Sequence, residues 1–242
     1  MRPDRLMGGS PRGALAVAAG GFAVGIVFSA ITAAVAEAAT GYSVSAGGPV
    51  PVAVTVADLL GLWVGLLGAV VYASRAWGSG RLARDFGLRV AAWWEVPLGV
   101  AVGAASQYLL VPAVYLPLEQ VDRGLSRQLG QPALRETGAA HGVPAAAVVF
   151  VFLALGAPLV EELFFRGLIL GSLMRLVPAP VAVVGTGLLF ALAHFEAAQF
   201  LGLAAFGVVL GILAWRTGRL ASSVAAHMAF NAVAVVTVVH LR

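Results

Sequence analysis

Seven long apolar runs, at residues 13–36, 52–74, 93–117, 143–176, 178–195, 198–216 and 220–240, constrain what this chain can fold into. A helix that crosses a bilayer needs ~20 mostly apolar residues, and each run approaches or exceeds that length. The bulk figures agree, because 60% of the 242 residues are hydrophobic and 11% are charged. Water around a soluble domain has to be met by more polar surface than that. The expected fold class is therefore all-α, a polytopic transmembrane helical bundle of about seven spans. Arg2, Arg5 and Arg12 before the first run and AVAEAAT at its end imitate a secretory leader. The run exceeds the ~7–15 apolar residues of a leader, so a retained anchor is expected.

Arginine supplies every cationic side chain other than histidine, and with the Ala, Val and Gly content it points to a bacterial genome rich in G+C. Arg75, Arg81, Arg84 and Arg89 follow the second run, Arg175 follows the fourth, and Arg216 and Arg219 follow the sixth. By the positive-inside rule these and the N-terminal arginines mark the cytoplasmic side, so the N-terminus is expected inside and the C-terminus outside a bacterial inner (plasma) membrane. Residues 118–142 carry Arg123, Arg127 and Arg135 on the outer side, accompanied by Glu119, Asp122 and Glu136, and predict a mixed-charge surface helix. The arginines form no basic stripe, which argues against nucleic acid as a partner; membrane lipids are expected instead. Three regions follow: 1–92 with two spans and a cytoplasmic loop, 93–142 with the third span and the outer segment, and 143–242 with four spans. Glycines four apart at Gly61 and Gly65, Gly99 and Gly103, Gly167 and Gly171, and Gly207 and Gly211 predict close helix contacts.

Ionisable groups inside lipid are costly, so those present become functional candidates. The last four runs contain Glu161, Glu162, Arg166, His194 and His227, with Asn231 beside them. Glu162 and Arg166 are four apart with the acid first, the favourable order for a helical ion pair. That leaves Glu161, ~100° around the helix, in need of a partner from elsewhere, such as a histidine on a neighbouring helix. His227 and Asn231 share a face of the last span, and Phe190 lies one turn before His194. At ~1.5 Å per residue from the arginine-marked ends, Glu161 lies ~21 Å deep, His194 ~24 Å, His227 ~12 Å and Asn231 ~18 Å. Three helices, the fourth, fifth and seventh, are thus expected to share one site. Asp58, Glu95, Trp93 and Trp94 read as interfacial residues. Glu196 reads as a loop residue, and His141 and His240 as solvated span ends. With no cysteine and no GxSxG stretch, a thiol or serine nucleophile is not expected.

Three stretches, EELFFR at Glu161–Arg166, FALAH at Phe190–His194 and HMAFN at His227–Asn231, resemble in sequence and order the CPBP family of CAAX prenyl proteases and bacteriocin-processing or immunity proteins. FRGLIL after the glutamates and WRTGRL before the last run add to the likeness, which covers roughly residues 143–240. The resemblance implies hydrolysis of a peptide bond in or near the membrane. In it Glu161 and His194 activate water, His227 and Asn231 stabilise the oxyanion, and Glu162 and Arg166 support the site. The implied substrate is a membrane-associated peptide or protein; prenylated CAAX chains are not expected for a bacterial composition. No HExxH motif is present, and glutamate chemistry without a metal is the expectation, although Glu161, His194 and His227 are residue types that suit a three-ligand zinc site. Two other readings are a non-catalytic immunity or scaffold protein and a proton-coupled transporter. The first gives no reason to bury an unpaired Glu161, and the second lacks internal repeats.

Overall fold

The computed structural model describes residues 9–43, 48–137 and 140–240. Arg2 and Arg5 lie outside the described residues, as does the side chain of His240. Among the described residues all regular structure is helical: α1 (Pro11–Thr40), α2 (Val52–Trp77), the short α3 (Leu82–Asp85), α4 (Glu95–Glu119), α5 (Leu125–Thr137), α6 (Val143–Leu173), α7 (Ala179–Leu192), α8 (Phe200–Thr217) and α9 (Ala221–His240). Six of them, α1, α2, α4, α6, α8 and α9, are long and apolar enough to cross a membrane. The fifth expected span is shorter than expected. With 14 residues α7 rises ~21 Å, less than the ~30 Å hydrocarbon thickness, so it ends within the bundle's depth.

Helices α1 and α2 form an antiparallel hairpin whose seam is made of glycine. A Cβ on Gly65 would collide with the backbone of Gly21 and Gly25, so only glycine permits this approach. Polar groups close the same seam: the Ser29 hydroxyl donates to Asp58, and Thr32 donates to the Ala57 carbonyl at 2.7 Å. Asp58, read as interfacial from its position, is a half-buried, hydrogen-bonded residue of the helix contact.

Two spans depart from regular α geometry where proline requires it. A helical proline clashes with the carbonyl four residues earlier and offers it no N–H. Pro112 in α4 follows a π-helical stretch at Ser106–Leu110, and Pro158 in α6 follows another at Phe150–Gly156, each containing the affected carbonyl. A further π-helical stretch, Glu162–Leu170, begins immediately after Glu161. Wider turns of this kind recur at functional sites because they change which side chains share a face.

The arginine-rich end is tied together by buried acids. Asp85 accepts from Ser74 and Ser79. Burial alone would raise its pKa, but these hydrogen bonds outweigh that effect and hold it below the usual carboxylate value. Glu95, expected at the interface, is fully buried and ion-paired with Arg219 across 124 residues of sequence. Trp93 and Trp94 beside it do stay exposed.

At the opposite end, α5 lies over the bundle as the expected amphipathic helix, with Leu125, Leu129, Ala133 and Thr137 facing inward at four-residue spacing. The Leu129 carbonyl accepts from Gln199, and the Tyr115 hydroxyl accepts from the Gly202 N–H at the start of α8. These contacts cover the turn between α7 and α8, a non-helical segment that lipid alone would leave unsatisfied.

Helix α4 packs on α9 through the expected pair Gly99 and Gly103, which lie against the carbonyls of Ser222 and Ala226. Replacing Gly103 with Leu is expected to force α4 off α9 and destabilise the protein by ~1–3 kcal/mol, the usual range for overpacking. Thermal unfolding in detergent checks this, and an unchanged midpoint would contradict the close contact.

Candidate active site

Helix α6 presents Glu161, Glu162 and Arg166 at the edge of its second π-helical stretch. Glu162 and Arg166 are both completely buried and form the expected ion pair at 2.8 Å. The guanidinium also donates to the Gly207 carbonyl of α8 at 3.0 Å and lies 4.5 Å from the centre of the Phe190 ring. Such a charge needs these partners, since an isolated cation in a dry interior costs several kcal/mol. The motif phenylalanine therefore has a direct physical role: its face receives the arginine.

Helix α9 brings His227 between the two acids. Its Nδ1 lies 3.2 Å from Glu162 and its Nε2 lies 3.7 Å from Glu161. Glu162 is engaged as a carboxylate by Arg166, so His227 Nδ1 carries the hydrogen and donates to it. The longer separation to Glu161 exceeds a direct hydrogen bond. Glu161 Oε2 has no hydrogen-bond partner, yet its side chain keeps 16% exposure where Glu162 has none. Of the two acids, only Glu161 is both uncommitted and reachable.

His194 sits just beyond the end of α7 for a reason visible in the backbone. Its own N–H turns back to the Ala191 carbonyl, which frees the Phe190 carbonyl, and His194 Nδ1 takes that carbonyl at 2.8 Å. A carbonyl can only accept, so Nδ1 holds the hydrogen and Nε2 keeps its lone pair. The next residue, Phe195, has a left-handed backbone with φ 55°, a strained conformation for a bulky side chain that turns the chain sharply after the histidine. Among the described residues the imidazole paired with Glu161 is His227, not His194. His194 meets the cluster through the Phe190 ring, at 4.6 Å between centroids.

Asn231, one turn beyond His227 on α9, donates its amide to the Leu153 carbonyl at 2.9 Å. That carbonyl lies in the first π-helical stretch of α6, where the regular hydrogen-bond ladder is interrupted. One amide hydrogen of Asn231 is thus spent on holding α9 to α6, and the other remains for a ligand.

Several contributors carry no sequence signal. Phe206 on α8 lies 5.6 Å from the His227 ring, nearly perpendicular to it, and stacks on Phe230 at 3.9 Å. Phe190 approaches His227 at 5.4 Å, so the imidazole is fixed between two aromatic rings. The Gly207 carbonyl and the Leu153 carbonyl are backbone partners that no residue type announces. As for zinc, among the described residues no three His, Asp or Glu side chains converge as a metal-ligand set. Glu161, His194 and His227, the residue types that would suit zinc, do not form such a set.

Geometry and sequence order here meet a known pattern. Residues 143–233 match the family described as type II CAAX prenyl endopeptidase Rce1-like, and the match contains all of the motif residues above. No curated protein and no solved structure matches the chain. The Rce1-like domain supports an intramembrane endopeptidase of the CAAX type in general, in a multi-pass membrane protein.

Glu136 on α5 adds an acid that the motifs do not include. It retains solvent access, but the protein around it removes much of the water that would stabilise its charge. That loss, reinforced by Asp58, Glu196 and Glu161, pushes its pKa up to about 7 from 4.5. Because the folded state binds this proton more tightly than the unfolded state, its stabilising effect is complete below about pH 4.5 and lost as pH rises to about 7. Glu136→Gln is expected to flatten that part of the stability profile. Unfolding midpoints measured from pH 4.5 to 7 check it, and a slope equal to wild type would remove Glu136 as the source.

Proposed function

We propose that this protein is an intramembrane endopeptidase that hydrolyses membrane-associated peptides or proteins, with Glu161 as the group that activates water. The observation that carries the reading is the contrast within the acid pair. Glu162 is fully buried and holds both Arg166 and His227 through Oε1, whereas Glu161 is partly accessible and its Oε2, 3.7 Å from the His227 imidazole, makes no hydrogen bond.

In this reading Glu161 takes a proton from a water molecule, and His194 orients that water through the lone pair on Nε2. The resulting hydroxide attacks the scissile carbonyl carbon and forms a tetrahedral intermediate. His227, through Nε2–H, and Asn231, through its second amide hydrogen, donate to the oxyanion. Preorganised donors of this kind act strongly where water is excluded. Glu161 then passes its proton to the leaving nitrogen, the C–N bond breaks, and the carboxylic acid and amine formed exchange a proton and leave as carboxylate and ammonium. His227 can serve as donor on both sides only as the imidazolium. In that state two carboxylates, one guanidinium and one imidazolium sum to zero charge, which suits a buried cluster.

Glu161→Gln keeps the shape of the side chain and removes the base. It is expected to lower turnover by ~10²–10⁴-fold, the usual contribution of a general base, while membrane insertion and thermal stability stay at wild-type levels. Comparative proteomics of membranes containing either protein tests this by seeking a cleavage product present with wild type and missing with the variant. Identical product sets would refute the peptidase reading.

The arginine distribution further supports a bacterial plasma membrane with Arg75–Arg89, Arg175 and Arg216 on the cytoplasmic side. Since the chain has no cysteine, single cysteines report their side cleanly. A cysteine replacing Gly48 is expected to react with an impermeant thiol reagent in intact cells, and one replacing Arg216 to react only after lysis. The reverse pattern would invert the topology.

A further inference from the structure

Glu95 takes no part in the proposed chemistry, yet it is fully buried on a helix outside the Rce1-like match. We infer that Glu95 is a positioning residue: through Arg219 it sets the height of α9 in the bundle, and hence where His227 stands relative to Glu161 and Glu162. The inference rests on the reading of His227 as a site residue.

The geometry of the tie is specific. Glu95 Oε1 accepts from Arg219 Nε at 2.7 Å and from Nη2 as well, while Oε2 accepts from the Ala91 N–H at 3.0 Å. Two-pronged contact with a guanidinium fixes orientation as well as distance. Arg219 in turn belongs to a tight turn between α8 and α9. Its carbonyl accepts from the Thr217 hydroxyl at 2.9 Å, and Gly218 adopts φ 68°. One residue on, the Leu220 N–H donates to the Gly87 carbonyl at 3.1 Å. The two residues that lead into α9, Arg219 and Leu220, are thus fastened to Glu95 and Gly87.

From the start of α9 at Ala221 to His227 is six residues, ~9 Å of helix that transmits any axial shift with little loss. Along that distance α4 and α9 meet through Gly99 and Gly103, which lie against backbone carbonyls. Beside those carbonyls the side chain that lies against Gly99 is the small Ala225, so the seam offers little purchase against sliding. The terminal ion pair supplies that lock. A residue holding only the fold would not need to sit in register with His227, whereas this one is joined to it by a continuous helix.

The test uses the full-length protein in detergent micelles with ¹⁵N-labelled histidine. The chain has four histidines, and His227→Gln assigns the His227 ring signals. Glu95→Ala is expected to move those signals while the His141 signals stay in place. Glu95→Gln, which keeps an acceptor for Arg219, is expected to move them less. If Glu95→Ala does not fold, Glu95→Gln decides alone. His227 signals that overlay on wild type in every folded variant would overturn the inference. In parallel, formation of the cleavage product found by comparative proteomics of membranes is the turnover readout, and a variant with displaced His227 is expected to form it about tenfold more slowly. Cleavage unaffected by Glu161→Gln would refute the peptidase reading by itself, and the resonances would still decide the role of Glu95.

Discussion

The buried ion pair between Glu162 and Arg166 is the constraint from which the site is built. Each charge removed from water carries a penalty of several kcal/mol, so the pair persists only where further partners complete it. The completion reaches every helix of the site. Arg166 takes the Gly207 carbonyl of α8 and the Phe190 ring of α7, and Glu162 takes His227 of α9. The contacts of this one ion pair therefore bring three helices to α6. Glu161 is the acid left outside the ion pair, and it keeps the solvent access that complete burial denies its neighbour.

Irregular backbone does the remaining placement. The π-helical stretches of α6 bracket the acids, and the interrupted ladder gives Asn231 a carbonyl to hold. The early end of α7 likewise frees the Phe190 carbonyl, which then orients His194 and selects the nitrogen that keeps its lone pair. In both places a backbone group released from its helix becomes the anchor of a site residue. A bundle of uninterrupted helices would offer no such anchors, because every carbonyl would already be engaged.

Much of this was legible from residue types and spacing. Long apolar runs announced the helices, and a four-residue spacing announced the Glu162–Arg166 pair. Small residues four apart marked contacts that proved real for Gly65 and Gly103. Other features were misread for physical reasons. Glu95 next to two exposed tryptophans looked interfacial, because its partner Arg219 is 124 residues away and pairing at that distance leaves no local trace. Asp58 looked the same until Ser29 of the neighbouring helix accounted for it. Run 178–195 looked like a full span, since hydropathy does not register where a helix stops; the left-handed turn at Phe195 does.

What the sequence by itself determined is the class of molecule and the identity of its unusual residues. Lipid admits only long helices, and it makes each buried charge conspicuous. What only the tertiary structure decided is which charge pairs with which. It gave His227 rather than His194 to Glu161, joined Glu162 to both Arg166 and His227, and tied Glu95 to Arg219. The reason is one of range: hydropathy and helical spacing are properties of neighbours along a chain. The state of a buried acid depends on groups a few ångströms away in space, supplied by helices whose packing no local pattern encodes.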